Sequence, residues 1–236
     1  MSLDGADIAS PVASDVEQLL FVWLSPSFPV GAFAYSHGLE MAAERGLIAS
    51  RPTLETWLRA LVEHGSVHND LLLLAAAHRA GNTDPQALIA ANALALALQP
   101  SAERYLETTQ QGRSFIDAVG TAWPHPRLEQ ARNIFPGLIA YPIAVAVASA
   151  SHGVALPATL RTYATAVVTN LTSAAIRLGI VGQTDAQRVI AAMMPSLHEA
   201  AVTAAAGTLD DIGGCTFSSD LCSIEHETQY TRLFRS

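Results

Sequence analysis

The sequence predicts an all-α protein, and three observations lead to that prediction. Ala and Leu dominate an apolar content of 50%, and both residues favour helices over strands. The clearest β-branched stretches, 145–147 and 167–168, lie in Ala-rich surroundings typical of helices. Capping residues, prolines and glycines divide the chain into segments of about three turns or longer. We therefore expect a single-domain helical bundle of roughly eight to ten helices.

Helix-start signals place the elements of the first half. Ser14 or Asp15 is expected to cap a helix that runs to about Leu24, with Glu17 at the capping-box position. Two prolines and a glycine exclude regular helix over residues 25–34. Further helices are expected from Ser36 to Gly46, from Pro52, from Asn69 or Asp70 to Gly81, from Asp84 to Leu98, and from Ser101 onward.

The second half contains a proline-broken loop at residues 121–126 and three long helices over 132–151, 157–178 and 184–206. Thr184 is the predicted N-cap of the last of these. Gly213 and Gly214 begin a loop before the C-terminal tail. The chain therefore divides into a mobile arm (1–13), an all-α domain (14–212), and a loop with a docking tail (213–236). Both terminal segments are expected to be flexible.

Composition excludes several functions. The net charge is −8, and nucleic-acid binding needs a basic face. All 13 basic residues are Arg, and without Lys the chain cannot form a Walker A phosphate loop or a pyridoxal Schiff base. Two Cys and an N-terminus without a positive region favour a reduced, cytoplasmic location. The apolar run 134–150 is interrupted by prolines, which favours a buried helix over a membrane span.

The sequence offers no convincing catalytic site and only weak metal-binding candidates. No serine lies in a nucleophile-elbow motif, and the histidines give no basis for a triad. His64 and His68 lie four apart, a spacing found in metal pairs, but two surface histidines are the favoured alternative. Cys215 and Cys222, followed by His226, match no zinc pattern, so two unlinked thiols in a loop are favoured.

Three polar or aromatic segments are candidates for binding. The tail 226–236 places Tyr230, Leu233 and Phe234 on one helical face, and it is held either by the chain's own core or by a partner. Residues 26–40 combine prolines, glycines and aromatics, as in a tight core turn or a recognition surface. The polar stretch 182–187 forms either an internal network or a partner contact, through Gln183, Thr184 and Gln187.

These segments resemble the UreF family of urease accessory proteins. The first anchor comprises Leu24-Ser25-Pro26, Phe28-Pro29-Val30-Gly31, Ala34-Tyr35-Ser36 and Gly38-Leu39-Glu40. The second is Gly182-Gln183-Thr184 with Gln187-Arg188. The third and most specific is His226-Glu227-Thr228-Gln229-Tyr230 with Arg232-Leu233-Phe234-Arg235-Ser236. Glu107-Thr108 and Gln111-Gly112 give a looser match, and Arg177 stands where relatives commonly have Lys.

The resemblance implies a non-enzymatic maturation factor without a cofactor of its own. Members of the family dimerise, bind UreD (also called UreH), and recruit the GTPase UreG to load nickel into apo-urease. Nickel, GTP and magnesium are expected on those partners. The tail is implied to bind UreD through His226, Glu227, Thr228, Gln229, Tyr230, Arg232, Leu233, Phe234 and Arg235. The dimer or UreG-facing surface is expected at Gly31, Tyr35, Ser36, Gly38, Leu39 and Glu40.

Two other functions remain open at this point. The chain could regulate GTP hydrolysis by UreG, since Arg is the residue used to stabilise charge in phosphoryl transfer. It could also be a metal-binding chaperone that uses His64 and His68, or Cys215 and Cys222. The second alternative is the weaker, because no third ligand completes either pair.

Overall fold

The structure is a computed structural model that describes residues 11–81 and 83–236, with side chains from residue 16 onward. Residues 1–10 of the expected arm lie outside the described part. The all-α prediction is confirmed, since the described residues contain helices and no strands. The helices are α1 Pro11–Trp23, α2 Leu39–Glu44, α3 Arg51–His64, α4 Ser66–Ala80, α5 Pro85–Ala97, α6 Ala102–Ala122, α7 Pro126–Ile134, α8 Tyr141–Ser151, α9 Leu156–Arg177, α10 Gln183–Ala206 and α11 Phe217–His226.

Helix α8 lies at the centre of the bundle, and nearly all its residues are buried. It packs against α6 and α4, whose run Leu71–Ala75 is also fully enclosed. Each buried Leu in such a core contributes about 1.5–3 kcal/mol relative to exposure. The part of the apolar run 134–150 that lies in α8 is therefore a core helix.

The predicted helix over 132–151 is instead two helices, α7 and α8, joined by residues 135–140. Pro136 lacks an N–H, so it cannot continue the helical hydrogen bonds. The linker is held by Asn92, whose amide donates to the Leu138 carbonyl (3.0 Å) and accepts from the Ala140 N–H (2.8 Å). Pro126, which was predicted to end a loop, is the first residue of α7, a position where proline is well tolerated.

Several helix starts also differ from expectation. Helix α1 begins at Pro11 and α4 at Ser66, ahead of the starts predicted at Ser14 or Asp15 and at Asn69 or Asp70. The N-cap of α10 is Gly182, so the helix begins before Thr184, its predicted cap. Residues 217–226 form α11, where the glycines at 213 and 214 had favoured a longer loop. Helix α11 packs against α2, and that tertiary contact compensates for its short length.

Helix α10 is long and apolar enough to cross a membrane, and no other helix in the described part of the chain meets that test. In the bundle it packs along α9 and α3 and also contacts α4. It carries the charged residues Asp185, Arg188 and Glu199. These contacts leave much of the helix exposed, since 28% of its most apolar window is buried.

Candidate functional site

The C-terminal segment 226–236 is folded onto residues 33–40. The backbone N–H of Ser36 donates to the Ser236 oxygen (2.7 Å), and the Arg235 N–H donates to the Ala34 oxygen (2.8 Å). The Ser36 hydroxyl donates to the same Ser236 oxygen. Phe234 is buried, with 4% of its surface exposed. The structure therefore differs from the expected flexible tail, because this segment finds its hydrogen-bond partners within the chain.

Glu40 of α2 is the main acceptor for the segment. One carboxylate oxygen accepts the Leu233 N–H (2.7 Å), and the other accepts the Phe234 N–H (2.9 Å) and faces His226 Nε2 (3.1 Å). Backbone donors of an irregular segment need such partners once they leave water. The Glu40 carboxylate thus contacts the His226 ring and the Leu233 and Phe234 N–H groups, which lie 186, 193 and 194 residues further along the chain.

His226 lies between two carboxylates. Its Nδ1 is 2.6 Å from Glu103 Oε2 and its Nε2 is 3.1 Å from Glu40 Oε2, and the residue is fully buried. Both ring nitrogens therefore lie within hydrogen-bond distance of a carboxylate oxygen. Arg232 adds a further contact to Glu103 (2.6 Å), so α2, α6, α11 and the tail meet at this histidine.

Glu107 of α6 extends the network to Ser236. It accepts from Arg104 Nη1 (2.5 Å), Gln111 Nε2 (2.9 Å) and the Ser236 hydroxyl (2.9 Å), and it faces His37 Nε2 at 2.7 Å. Burial alone would raise the pKa of Glu107, but Arg104, His37 and Ser236 outweigh it and lower that pKa to about 2. We call Glu40, Glu103, Glu107 and His226 the carboxylate network.

Two close contacts complete the junction. Gly38 lies against the Ser223 backbone of α11 so tightly that an added Cβ would be 2.7 Å from the Ser223 nitrogen. The Arg177 guanidinium carbon lies 3.5 Å from the Phe33 ring centroid and 4.1 Å from that of Phe234. A guanidinium stacks on aromatic faces better than an ammonium does, which suits Arg at this position.

The outer face of the tail is exposed, with Arg232 and Arg235 beside apolar side chains. Tyr230 is fully exposed, Leu233 is 60% exposed, and Phe33 on the neighbouring loop is 63% exposed. Tyr230 and Leu233 belong to the segment whose backbone the carboxylate network fixes. The tail therefore has an inner side held by its own fold and an outer side available for a partner.

The early motif lies mostly inside the protein. Tyr35, Ser36, Gly38, Leu39 and Glu40 are buried, whereas we expected a dimer or UreG-facing surface there, and only Gly31 of that set is exposed. These residues are buried because Glu40 accepts hydrogen bonds from the tail and Gly38 lies against the α11 backbone.

The polar stretch 183–187 lies at the first turn of α10. Gln183, Thr184 and Gln187 are all exposed, which rules out the internal polar network as their arrangement in this structure. Contact with a partner remains a prediction for these three residues.

The metal candidates are not brought together. His64 ends α3 and His68 lies in α4 beyond Gly65, so they do not share one helix. Cys215 is exposed and its thiol donates to Asp220, whereas Cys222 is buried and His226 faces glutamates. No group of three or more His, Cys, Asp or Glu suited to a metal ion occurs in the described ranges 11–81 and 83–236.

A cavity of about 340 Å³ lies between α1, α4, α6, α8 and α9. Its polar lining includes Asp70 of α4, whose Oδ2 accepts from the Tyr163 hydroxyl at 2.9 Å. Burial raises the pKa of Asp70 to about 6, although Arg104 and Tyr163 oppose that shift. We call this space the Asp70 cavity.

The raised pKa predicts that Asp70→Asn stabilises the protein above pH 6. The folded state favours protonated Asp70, so its ionisation costs stability as pH rises from about 4 to about 6. A rise of that size corresponds to about 3 kcal/mol at most, and solvent in the cavity reduces the expected gain to about 2 kcal/mol. Urea unfolding at pH 4 and pH 7 measures it. The gain in free energy of unfolding should vanish at pH 4. Asp185→Asn, at a partly exposed residue, should show no such dependence on pH. An equal gain at both pH values would contradict the prediction.

Glu103 and Arg104 are not among the residues predicted from the sequence, and Asp70, Glu107 and Gln111 are named there only as a helix start or as part of the resemblance. The available signal was the spacing on α6, where residues 103, 104, 107 and 111 lie three or four apart. Glu103 and Glu107 contact the tail, and Arg104 and Gln111 bond to Glu107, so polar side chains at this spacing could have suggested a polar junction.

The protein is all-helical in its described residues, and its buried glutamates accept hydrogen bonds from its own C-terminal segment. Tyr230 and Leu233 of that segment remain exposed. The UreF family model matches residues 48–194. The chain therefore belongs to the UreF family of urease accessory proteins, as the resemblance predicted.

Relatives align over nearly the whole chain. The urease accessory protein UreF of Methylobacterium radiotolerans is 51% identical over 96% of this chain and 100% of its own length. That of Rhodopseudomonas palustris strain BisB18 is 49% identical over 100% and 98%, respectively. That of Azorhizobium caulinodans is 53% identical over 92% and 94%. These alignments extend beyond the family-model match at residues 48–194.

Proposed function

We propose that the protein is a non-enzymatic scaffold for urease maturation in the cytoplasm. In this proposal it acts as a homodimer, binds UreD (UreH) through its tail, and recruits the GTPase UreG for nickel insertion into apo-urease. Nickel, GTP and magnesium belong to the partners. Membership of a family named for urease accessory proteins supports the general role.

The observation that carries the proposal is the two-sided tail. Its inner side is fixed by Glu40, Glu103 and Glu107, which together accept hydrogen bonds from residues 226–236. Its outer side presents Tyr230 and Leu233 to solvent. A segment fixed in advance loses less conformational entropy on binding, so the ordered tail favours a partner site.

Deletion of residues 230–236 tests the proposal. The deletion is expected to abolish capture of UreD in a pull-down, because it removes the exposed aromatic and the segment that the network holds. Circular dichroism and thermal unfolding of the truncated chain establish that the bundle persists. Unchanged capture of UreD by a folded truncation would overturn the tail assignment.

A double surface variant separates docking from folding. Tyr230→Ser with Leu233→Ser alters two exposed side chains and leaves the Glu40 contacts to the backbone in place. We expect at least a tenfold loss of affinity for UreD, equivalent to about 1.4 kcal/mol. Phe217→Ser, at a residue that is 71% exposed on α11, is the matched control and should bind normally.

A further inference from the structure

The Asp70 cavity has the dimensions of a ligand site, and Phe33 and Glu107 of its lining also belong to the tail junction described above. Its volume of about 340 Å³ falls within the range of about 300–1,000 Å³ typical of small-molecule pockets. Most of its wall is apolar, and its polar groups converge from α4, α6 and α9. That combination of apolar walls and a few directed polar groups is typical of binding sites.

Two carboxylates, those of Asp70 and Glu107, and one guanidinium, that of Arg104, line the cavity. Arg104 and Glu107 form an ion pair at 2.5 Å, and Glu107 has further donors. Burial and Arg104 lower the pKa of His37, although Glu107 opposes this shift. Asp70 has one partner, the Tyr163 hydroxyl, and its Oδ1 has no hydrogen bond from the described residues. Asp70 therefore forms no ion pair among the described residues, and Arg104, whose charge acts on it, is paired with Glu107.

The opening of the cavity is apolar. Phe21 is 73% exposed and Phe33 is 63% exposed, and both line the space together with buried Leu20 and Phe28. Ala166 and Val167 contribute to the wall from α9. A ligand in this cavity therefore meets both an apolar wall and the Asp70 carboxylate.

We propose that the Asp70 cavity binds a primary ammonium group carried on an apolar stem. The ammonium supplies the donor and the positive charge that Asp70 Oδ1 lacks, and the stem fills the apolar wall. Two sources share this chemistry, a free alkylamine and the lysine side chain of a partner protein. A second copy of this chain is not the lysine source, because the chain has no Lys.

Calorimetric titration of the purified full chain at pH 7.5 with n-hexylamine tests the proposal. Saturable binding at one site per chain is expected, at least about tenfold tighter than binding of hexan-1-ol or hexanoate, since only the amine offers a charged donor. Equal affinity for the amine and the alcohol, or no saturable binding of the amine, would overturn the proposal.

Variants locate the site. Asp70→Asn is expected to weaken hexylamine binding at least about tenfold, since the amide offers no charge. Ala166→Trp should abolish binding by filling the cavity without altering the carboxylate. Asp185→Asn, an exposed acidic position on α10, is the matched control for general charge attraction and should bind normally. Unchanged binding in Asp70→Asn would assign the amine to another place and overturn the proposal.

A lysine analogue distinguishes the two sources. Nα-acetyl-lysine methylamide carries the same ammonium on a shorter stem attached to a backbone. Binding that matches hexylamine and is lost in Asp70→Asn supports the partner lysine, whereas binding of hexylamine alone supports a free amine. If Asp70→Asn affects neither ligand, the shared chemistry is refuted for both.

Discussion

Glu40→Ala is expected to destabilise the protein by about 3–5 kcal/mol, the usual cost of removing one partner from a buried charged network. The substitution leaves the Leu233 and Phe234 N–H groups without their acceptor, and it leaves buried His226 with Glu103 alone. Each buried donor left unsatisfied costs about 1–3 kcal/mol, so the tail is expected to detach before the bundle unfolds.

Urea unfolding and amide hydrogen exchange measure the two parts of this prediction. Exchange should accelerate in residues 226–236 and remain slow in α8, the buried central helix. Glu199→Ala is the control, since Glu199 is an exposed glutamate of α10, and its effect should stay within about 0.5 kcal/mol. Normal protection of the tail amides in Glu40→Ala would show that the carboxylate does not hold the segment.

Gly38→Ala is expected to be as damaging, for a steric reason. Gly38 has a φ of 76°, and a Cβ there would lie 2.7 Å from the Ser223 nitrogen and 3.0 Å from its Cα. Left-handed backbone alone costs a residue with a Cβ about 1–2 kcal/mol. Displacing the α11 backbone adds up to about 3 kcal/mol, the upper end of overpacking costs.

Gly31→Ala isolates the contribution of the contact. Gly31 has a φ of 77°, but no atom lies within 4 Å of the position that a Cβ would occupy, so only the backbone strain applies. The difference in free energy of unfolding between the two variants therefore measures the α2–α11 contact. Equal destabilisation by both substitutions would show that α11 shifts at little cost.

The local signals in the sequence predicted several helix starts well. The Asp84 carboxylate accepts from the Ala87 N–H, and the Ser101 hydroxyl accepts from the Arg104 N–H. A capping residue before a helical run predicts such contacts. Pro52 lies in the first turn of α3, as expected. These features depend on neighbours in sequence, so they can be read from a single chain.

The site depends on partners that are distant in sequence. Glu40 meets donors 186, 193 and 194 residues away, and no local pattern reveals such a pairing. The tail could be recognised as a segment that something holds, but composition could not decide between the core and a partner. The structure places Phe234 of the tail inside the protein and Tyr230 outside.

The pairing of Ser36 with Ser236 also constrains the order of folding. These residues are separated by 200 positions, so their contact closes a loop that contains nearly the whole bundle. The entropy lost on closing so long a loop is recovered only when the intervening helices have already brought the two ends together. Attachment of the tail is therefore expected late in folding, and a partner that binds the attached tail selects chains whose helical bundle is complete.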